Sequence, residues 1–212
     1  MNKNYSILAI LLALTLAACG QTGSTAMNGG SYSEIDELPR ESISQEERAD
    51  LLLLRQEESL AGDLYSAFHE DYNPRIFQNI ARSEDQHTGA VKALLDKYEI
   101  DDPVQGDGQY SDPELQEAFE DLQRQGQQSY VAALQAAAYL EERDIRDLNN
   151  ALNRTDNEDI SQVYTSLRKG SANHLKAFQR QLSRQSATYE LQYISQEQIE
   201  TYSERRVTDV FA

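Results

Sequence analysis

Ile76-Phe-Gln-Asn-Ile-Ala-Arg-Ser-Glu-Asp-Gln-His87 is the stretch on which the fold turns. On a helix, Phe77, Ile80, Glu84 and His87 share one face, which Val91 and Leu94 continue. The stripe is apolar except at its middle, where a carboxylate and an imidazole stand one turn apart. Three other segments repeat this pattern. Upstream the stripe reads Leu51, Leu54, Glu58, Ala61, Tyr65, Phe68. Downstream one reads Leu134, Ala137 or Ala138, Glu141, Ile145, Leu148, with Asp144 one step beside it. The last reads Val163, Leu167, Ser171, His174, Phe178, Leu182. Each of four helices thus carries an ionisable group near its centre, on the face that should meet the others.

The punctuation around these stripes sets their lengths. Helices are predicted over roughly 44–71, 74–99, 129–153 and 156–185. Ser44-Gln-Glu-Glu47 and Thr155-Asp-Asn-Glu158 read as capping boxes, in which a hydroxyl and a carboxylate satisfy the unpaired N–H groups of a first turn. Asn73 reads as a cap and Pro74 as the first residue of the second helix. Ser111-Asp-Pro-Glu114 opens a short helix ending at Gly126, and Ser195-Gln-Glu-Gln198 starts another. The first and last long pairs are joined by short links, which force antiparallel neighbours. About thirty residues separate the middle two, which is enough for a crossover. The expected fold is all-α: a four-helix bundle with one long crossover between the second and third long helices. No segment shows convincing strand alternation, a solenoid-length repeat or a Gly-rich phosphate loop.

Of 212 residues, 19 are Lys or Arg and 36 are Asp or Glu, for a net charge of -17. That balance argues against a nucleic-acid partner, which demands phosphate neutralisation, and against electrostatic docking on anionic lipid. A single Cys excludes intramolecular disulfides, CxxC redox motifs and thiolate metal sites. That Cys ends an apolar run, Ile7 to Ala18, broken by Thr15 and too short to span a bilayer. Leu16-Ala-Ala-Cys19 resembles the bacterial lipobox. The resemblance implies a signal peptide over 1–18, a lipid on Cys19 and a protein tethered outside the cytoplasmic membrane. Gly20 after the lipidated Cys implies the outer membrane where the cell has one. A Gly-, Ser-, Thr- and Asn-rich tether would follow over 19–41, the bundle over 42–186 and a C-terminal extension over 187–212.

The polar groups on the stripes are the functional signal. Burying one unpaired carboxylate costs several kcal/mol, and three in proximity also repel. The stripes hold no Lys or Arg to offset them. A metal pair would, and carboxylate with imidazole suits iron, manganese or zinc. The candidate ligands are Glu58, Glu84, His87, Glu141 and His174, with Asp144 as a further one. Gly62, Gly89 and Gly170 fall inside predicted helices, where Gly is unfavourable by about 1 kcal/mol against Ala. They leave room for close helix approach or for a small substrate.

Glu84-Asp-Gln-His87 is the Glu-x-x-His motif of di-iron bundles. With Glu58-Ser-Leu-Ala-Gly-Asp-Leu-Tyr65, Glu141 and His174, it resembles rubrerythrin-like members of the ferritin-like superfamily. That resemblance implies two iron ions, bridged by Glu84 and Glu141. Glu58 would be a terminal ligand, and His87 and His174 would each cap one metal. Tyr65 would hydrogen-bond a ligand carboxylate. Ser171 stands where the pattern has a second Glu. The second metal site would then be weaker, draw on Asp144 or Glu142, or stay empty. From helix one to Tyr193-Ile-Ser-Gln-Glu197 the chain is similar to a ferritin-like family catalogued as domain of unknown function 2202. Glu141-Glu-Arg-Asp-Ile145, Thr155-Asp-Asn-Glu-Asp-Ile160 and Asn173-His-Leu-Lys-Ala-Phe178 carry that similarity.

Two functions of different kinds follow. One is a lipid-anchored oxidoreductase acting on peroxide or O2, fed by a separate electron donor because the chain lacks a rubredoxin-like Cys motif. The other is a non-catalytic metal-binding or purely structural bundle whose acidic surface meets a partner. The expected partners are the membrane through Cys19, the electron donor and a second copy of the chain, but no nucleic acid.

Overall fold

A computed structural model describes residues 35, 37–106 and 108–204. The expected signal peptide and the lipid-bearing Cys19 lie outside the described residues, as do most of the tether and the last eight residues of the chain. Six helices are delimited: α1 (Gln45–Tyr72), α2 (Arg75–Lys97), α3 (Pro113–Gly126), α4 (Tyr130–Leu152), α5 (Glu158–Arg184) and α6 (Gln196–Ser203). Among the described residues there is no strand beyond an isolated Gly106–Gln109 bridge, and no helix is long and apolar enough to cross a membrane.

The ends of the helices show which sequence signals act. Ser44 caps α1 as a full box: its hydroxyl accepts the Glu47 N–H, and the Glu47 carboxylate accepts the Ser44 N–H. Asp112 caps α3 ahead of Pro113, Ser129 caps α4, and Ser195 forms a second box with Gln198 at α6. Two expectations are corrected. Asn73 closes α1 instead of opening α2. It adopts the left-handed conformation (φ 58°) and donates its N–H to the His69 carbonyl, and Pro74 becomes the N-cap of α2. Thr155 builds no box at α5. Its hydroxyl donates to Glu47 on α1 and accepts from the Asn157 N–H, so the helix starts later, at Glu158.

Paired side chains fix the directions of the long helices. Asp50 meets Arg154 and Tyr65 meets Ala137, so α1 and α4 run antiparallel. Ser83 meets His174 and Tyr98 meets Asp159, so α2 and α5 do too. With the tight α1–α2 and α4–α5 links, each long helix is antiparallel to both neighbours. The segment from Tyr98 to Ser129 therefore travels the length of the bundle. It is bound along α1, where Arg55 holds Asp102, Gln56 accepts from Ser111 and Asp112, and Asp63 accepts from Gly108 and Tyr110. On α3, Gly126 lets the Phe68 ring pack against the backbone, where a Cβ would come within 2.2 Å of it.

Two apolar clusters fill the interior. One, rich in rings, contains Leu64, Tyr65, Phe68, Phe77, Leu134 and Phe178. The other contains Leu51, Leu54, Val91, Leu94, Leu148, Ile160 and Leu167. The polar residues that interrupt the stripes fall between the two, in a single layer across the bundle.

Candidate metal centre

Helical spacing delivers that layer. Glu57 and Glu58 come from α1, Glu84 and His87 from α2, Glu141 and Asp144 from α4, and Ser171 and His174 from α5. Glu58, Glu84 and Glu141 are each at most 2% exposed. Glu84 stands at the centre. Its Oε2 lies 2.8 Å from His87 Nδ1 and its Oε1 lies 2.7 Å from His174 Nδ1. One carboxylate thus presents one oxygen to each imidazole. Glu58 Oε2 lies 3.1 Å from the same His87 nitrogen, and Glu141 Oε1 lies 3.4 Å from the same His174 nitrogen. The two rings stack, with centroids 5.4 Å apart. Two half-sites result, Glu58–His87–Glu84 and Glu84–His174–Glu141. The single atoms offered by Glu84, His87 and His174 all lie within 4.8 Å of one another, as one metal ion requires.

Neighbouring groups orient these ligands. The Tyr65 hydroxyl donates to Glu141 Oε1 at 2.8 Å. The Ser83 hydroxyl lies 3.0 Å from His174 Nε2 and so fixes which face of that ring turns inward. Ser171 donates to Asp144 Oδ2 at 2.5 Å. Ser171 therefore serves the site by steering the Asp144 carboxylate into the layer. Glu142 points elsewhere. It clasps the C-terminal segment, accepting from the Tyr189 hydroxyl and from the N–H groups of Gln192, Tyr193 and Ile194. Of the two substitutes for the missing Glu, only Asp144 joins the centre.

The electrostatics are those of acids and imidazoles crowded together in a buried layer. Burial and the charge of Glu84 push Glu141 up to about 7. Burial pushes Glu58 up to about 7 as well, although His87 pulls it back. Burial and the charges of Glu58 and Glu57 hold Asp144 well above the usual carboxylate range. Glu84 behaves oppositely. Burial works to raise it, but His174 and His87 outweigh that and lower it. Burial would lower His174, yet Glu84 and Glu141 drive it up to about 10. Burial, then Glu141, raises the Tyr65 phenol well above its ordinary value, so it stays a donor.

A metal ion fits these residues. Glu58 Oε1, Glu84 Oε1, Asp144 Oδ1 and His174 Nδ1 are all buried without a hydrogen-bond partner. The 2.7 Å approach of His174 Nδ1 to Glu84 Oε1 is misaligned for a hydrogen bond, so it does not satisfy either atom. A cavity of about 10 Å³, lined by Glu57, Glu58, Tyr65, Glu84, Glu141 and Asp144, lies among them. Buried polar atoms left unpaired cost about 1–3 kcal/mol each, and more when charged. A cation coordinated by several of them removes that cost at once.

Residues 47–204 match the family described as Uncharacterized protein domain (DUF2202). The chain belongs to that family. Uncharacterized protein MJ0754 of Methanocaldococcus jannaschii is 46% identical over 168 residues, covering 78% of this chain and 91% of the relative. The crystal structure of hypothetical protein MJ0754 from Methanococcus jannaschii DSM 2661 is similar, with a TM-score of 0.75 and 44% identity over 80% of this chain and 98% of that one. In this DUF2202 chain, sequence reasoning missed three residues of the layer. Glu57 was hidden beside Glu58, Ser83 precedes the motif that drew attention, and Arg143 lies off the stripe yet reaches Glu57 at 3.4 Å.

Proposed function

We propose that this protein is a ferritin-like, di-metal carboxylate oxidoreductase of the cell envelope, held there by a lipid on Cys19. The observation that carries the reading is Glu84, whose two oxygens each face a different imidazole within 2.8 Å. Glu84, with His87, Glu58, His174 and Glu141 around it, would hold a metal pair. Iron or manganese fits the donor set best, since a redox role excludes zinc. Bound in such a pair, the metals supply electrons to peroxide or O2.

The chain's own residues do the rest. Tyr65 donates to Glu141 and holds that carboxylate in place as charge changes around it. Ser83 and Ser171 keep His174 and Asp144 in register. The ring cluster of Tyr65, Phe77 and Phe178 closes one end of the layer and excludes bulk water. An oxidant as small as O2 or hydrogen peroxide suits so confined a space, whereas an organic substrate does not. Reducing equivalents come from a separate protein or small molecule.

A metal-free reading has its own observation: Glu84 and the two imidazoles attract one another without any ion. Elemental analysis of the aerobically purified protein separates the two. The oxidoreductase predicts about two iron or manganese ions per chain and peroxide consumption on reduction. Two ions without turnover leaves a metal binder. No metal, with full stability, leaves a polar core. Glu84→Ala should abolish loading at both positions, and His87→Ala at one.

A further inference from the structure

A centre sealed between two apolar clusters needs a path for its ions, and the polar layer has one side built for cations. On the α1–α4 face, Glu57 is 4% exposed and lines the same cavity as Glu58 and Asp144. Its Oε2 has no hydrogen-bond partner, and neither does Asp144 Oδ1 or Glu58 Oε1. Three buried carboxylates, each with an unsatisfied oxygen, thus line one small space.

Outward from Glu57 the same chemistry continues. Arg143 NH2 lies 3.4 Å from Glu57 Oε1, and its Nε lies 3.8 Å from Asp147 Oδ2. Asp147 and Arg143 are 15% and 17% exposed. Arg143 also lines an open groove of about 560 Å³ between α3, α4 and the C-terminal segment. From solvent inward, Asp147, Glu57 and the Asp144–Glu58 pair therefore form a series of carboxylates. The Arg143 guanidinium lies between Asp147 and Glu57, where a travelling cation would pass, and Arg146 also pairs with Asp147, at 2.7 Å. The other approaches differ. Rings close one end of the layer and aliphatic side chains the other. On the α2–α5 seam His87 is 14% exposed, but it offers a ring wedged against Gly170 and no carboxylate.

We propose that Asp147 and Glu57 form the portal by which divalent cations reach the centre, with Arg143 as the resident cation that each ion displaces. This rests on the metal centre proposed above. An ion held by Asp147 and Glu57 exchanges into the unsatisfied oxygens of Asp144 and Glu58, and Arg143 then returns to Glu57. The metal keeps its charge throughout, so no redox partner is needed.

The test is stopped-flow absorption after mixing Co2+ with the metal-free, full-length protein, with the final Co2+ content measured separately. Glu57→Gln should slow loading by about tenfold or more, and Asp147→Asn by a smaller factor. Arg143→Gln should speed it. All three should reach the wild-type Co2+ content. Wild-type rates in all three variants overturn the portal while leaving the centre intact. A lowered final content at an unchanged rate in Glu57→Gln also overturns it, because Glu57 is then a ligand only. Wild-type protein that takes up no Co2+ overturns the centre itself. If Glu57→Gln fails to fold, Asp147→Asn at the rim decides the matter alone.

Discussion

Gly170 faces the ring of His87 so closely that a Cβ would stand 2.5 Å from both Cε1 and Nε2. This mid-helix glycine on α5 is the space in which a histidine from α2 lies flat against His174. Gly170→Ala removes that space and improves helix propensity by about 1 kcal/mol, so the fold should survive. The displaced His87 should lose its approach to Glu58 and Glu84. Metal content should fall toward one ion per chain, with the helical circular dichroism unchanged. Full loading in Gly170→Ala would show that the ring has somewhere else to go.

Ser171 and Asp144 meet as a hydrogen-bonded pair in the polar layer. The 2.5 Å hydrogen bond between them is buried. Ser171→Ala leaves Asp144 in the layer without its anchor. Metal affinity should drop by about 10–100-fold, the usual effect of losing an outer hydrogen bond to a ligand. Stoichiometry at saturating metal should hold. Isothermal titration with Mn2+ reads both quantities, and an unchanged affinity would remove Asp144 from the centre.

The metal-free protein should lose stability as pH rises. Glu58 and Glu141 go from 4.5 when unfolded to about 7 when folded. Each favours the fold fully below 4.5, and that contribution is lost as pH climbs through 7. His174 acts in the same direction, from 6.5 to about 10. Glu84 is lowered, so its contribution is present above 4.5 and lost only in acid. Between pH 5 and 8 the melting temperature should fall by more than about 10 °C. With saturating Mn2+ the trend should reverse, since coordination requires deprotonated carboxylates and releases their protons. Scanning calorimetry with and without Mn2+ across that range checks both halves.

Local chemistry made the helices legible. Ser44, Asp112 and Ser129 cap the helices they were expected to open, because a hydroxyl or carboxylate reaches its own first turn without help from the rest of the fold. Thr155 failed because Glu47, 108 positions away in sequence, offered its hydroxyl a tertiary partner. The same division holds in the centre. Glu58, Glu84, His87, Glu141 and His174 break apolar stripes, and periodicity alone exposes them. Glu57 and Arg143 break nothing, since Glu57 lies about 100° around α1 from Glu58 and Arg143 about 160° around α4 from Glu141. Only the packing of α1 against α4 shows that they meet.

Glu141 and Glu142 illustrate how sharply that angle divides roles. Adjacent in sequence and both buried, they face different neighbours of α4. Glu142 accepts the Tyr189 hydroxyl at 2.6 Å and the N–H groups of Gln192, Tyr193 and Ile194 at 2.8, 2.6 and 3.0 Å. It is the anion that turns the C-terminal segment back onto the bundle. Hydrogen bonds to a charged acceptor contribute about 1.5–3 kcal/mol each, though clustered ones do not add in full. Glu142→Ala should therefore cost about 2–4 kcal/mol and open residues near Tyr189–Ser195 to proteolysis. Metal content should stay at the wild-type level, because no oxygen of Glu142 faces the layer. Loss of metal with the segment still protected would reverse that assignment and return Glu142 to the ligand set.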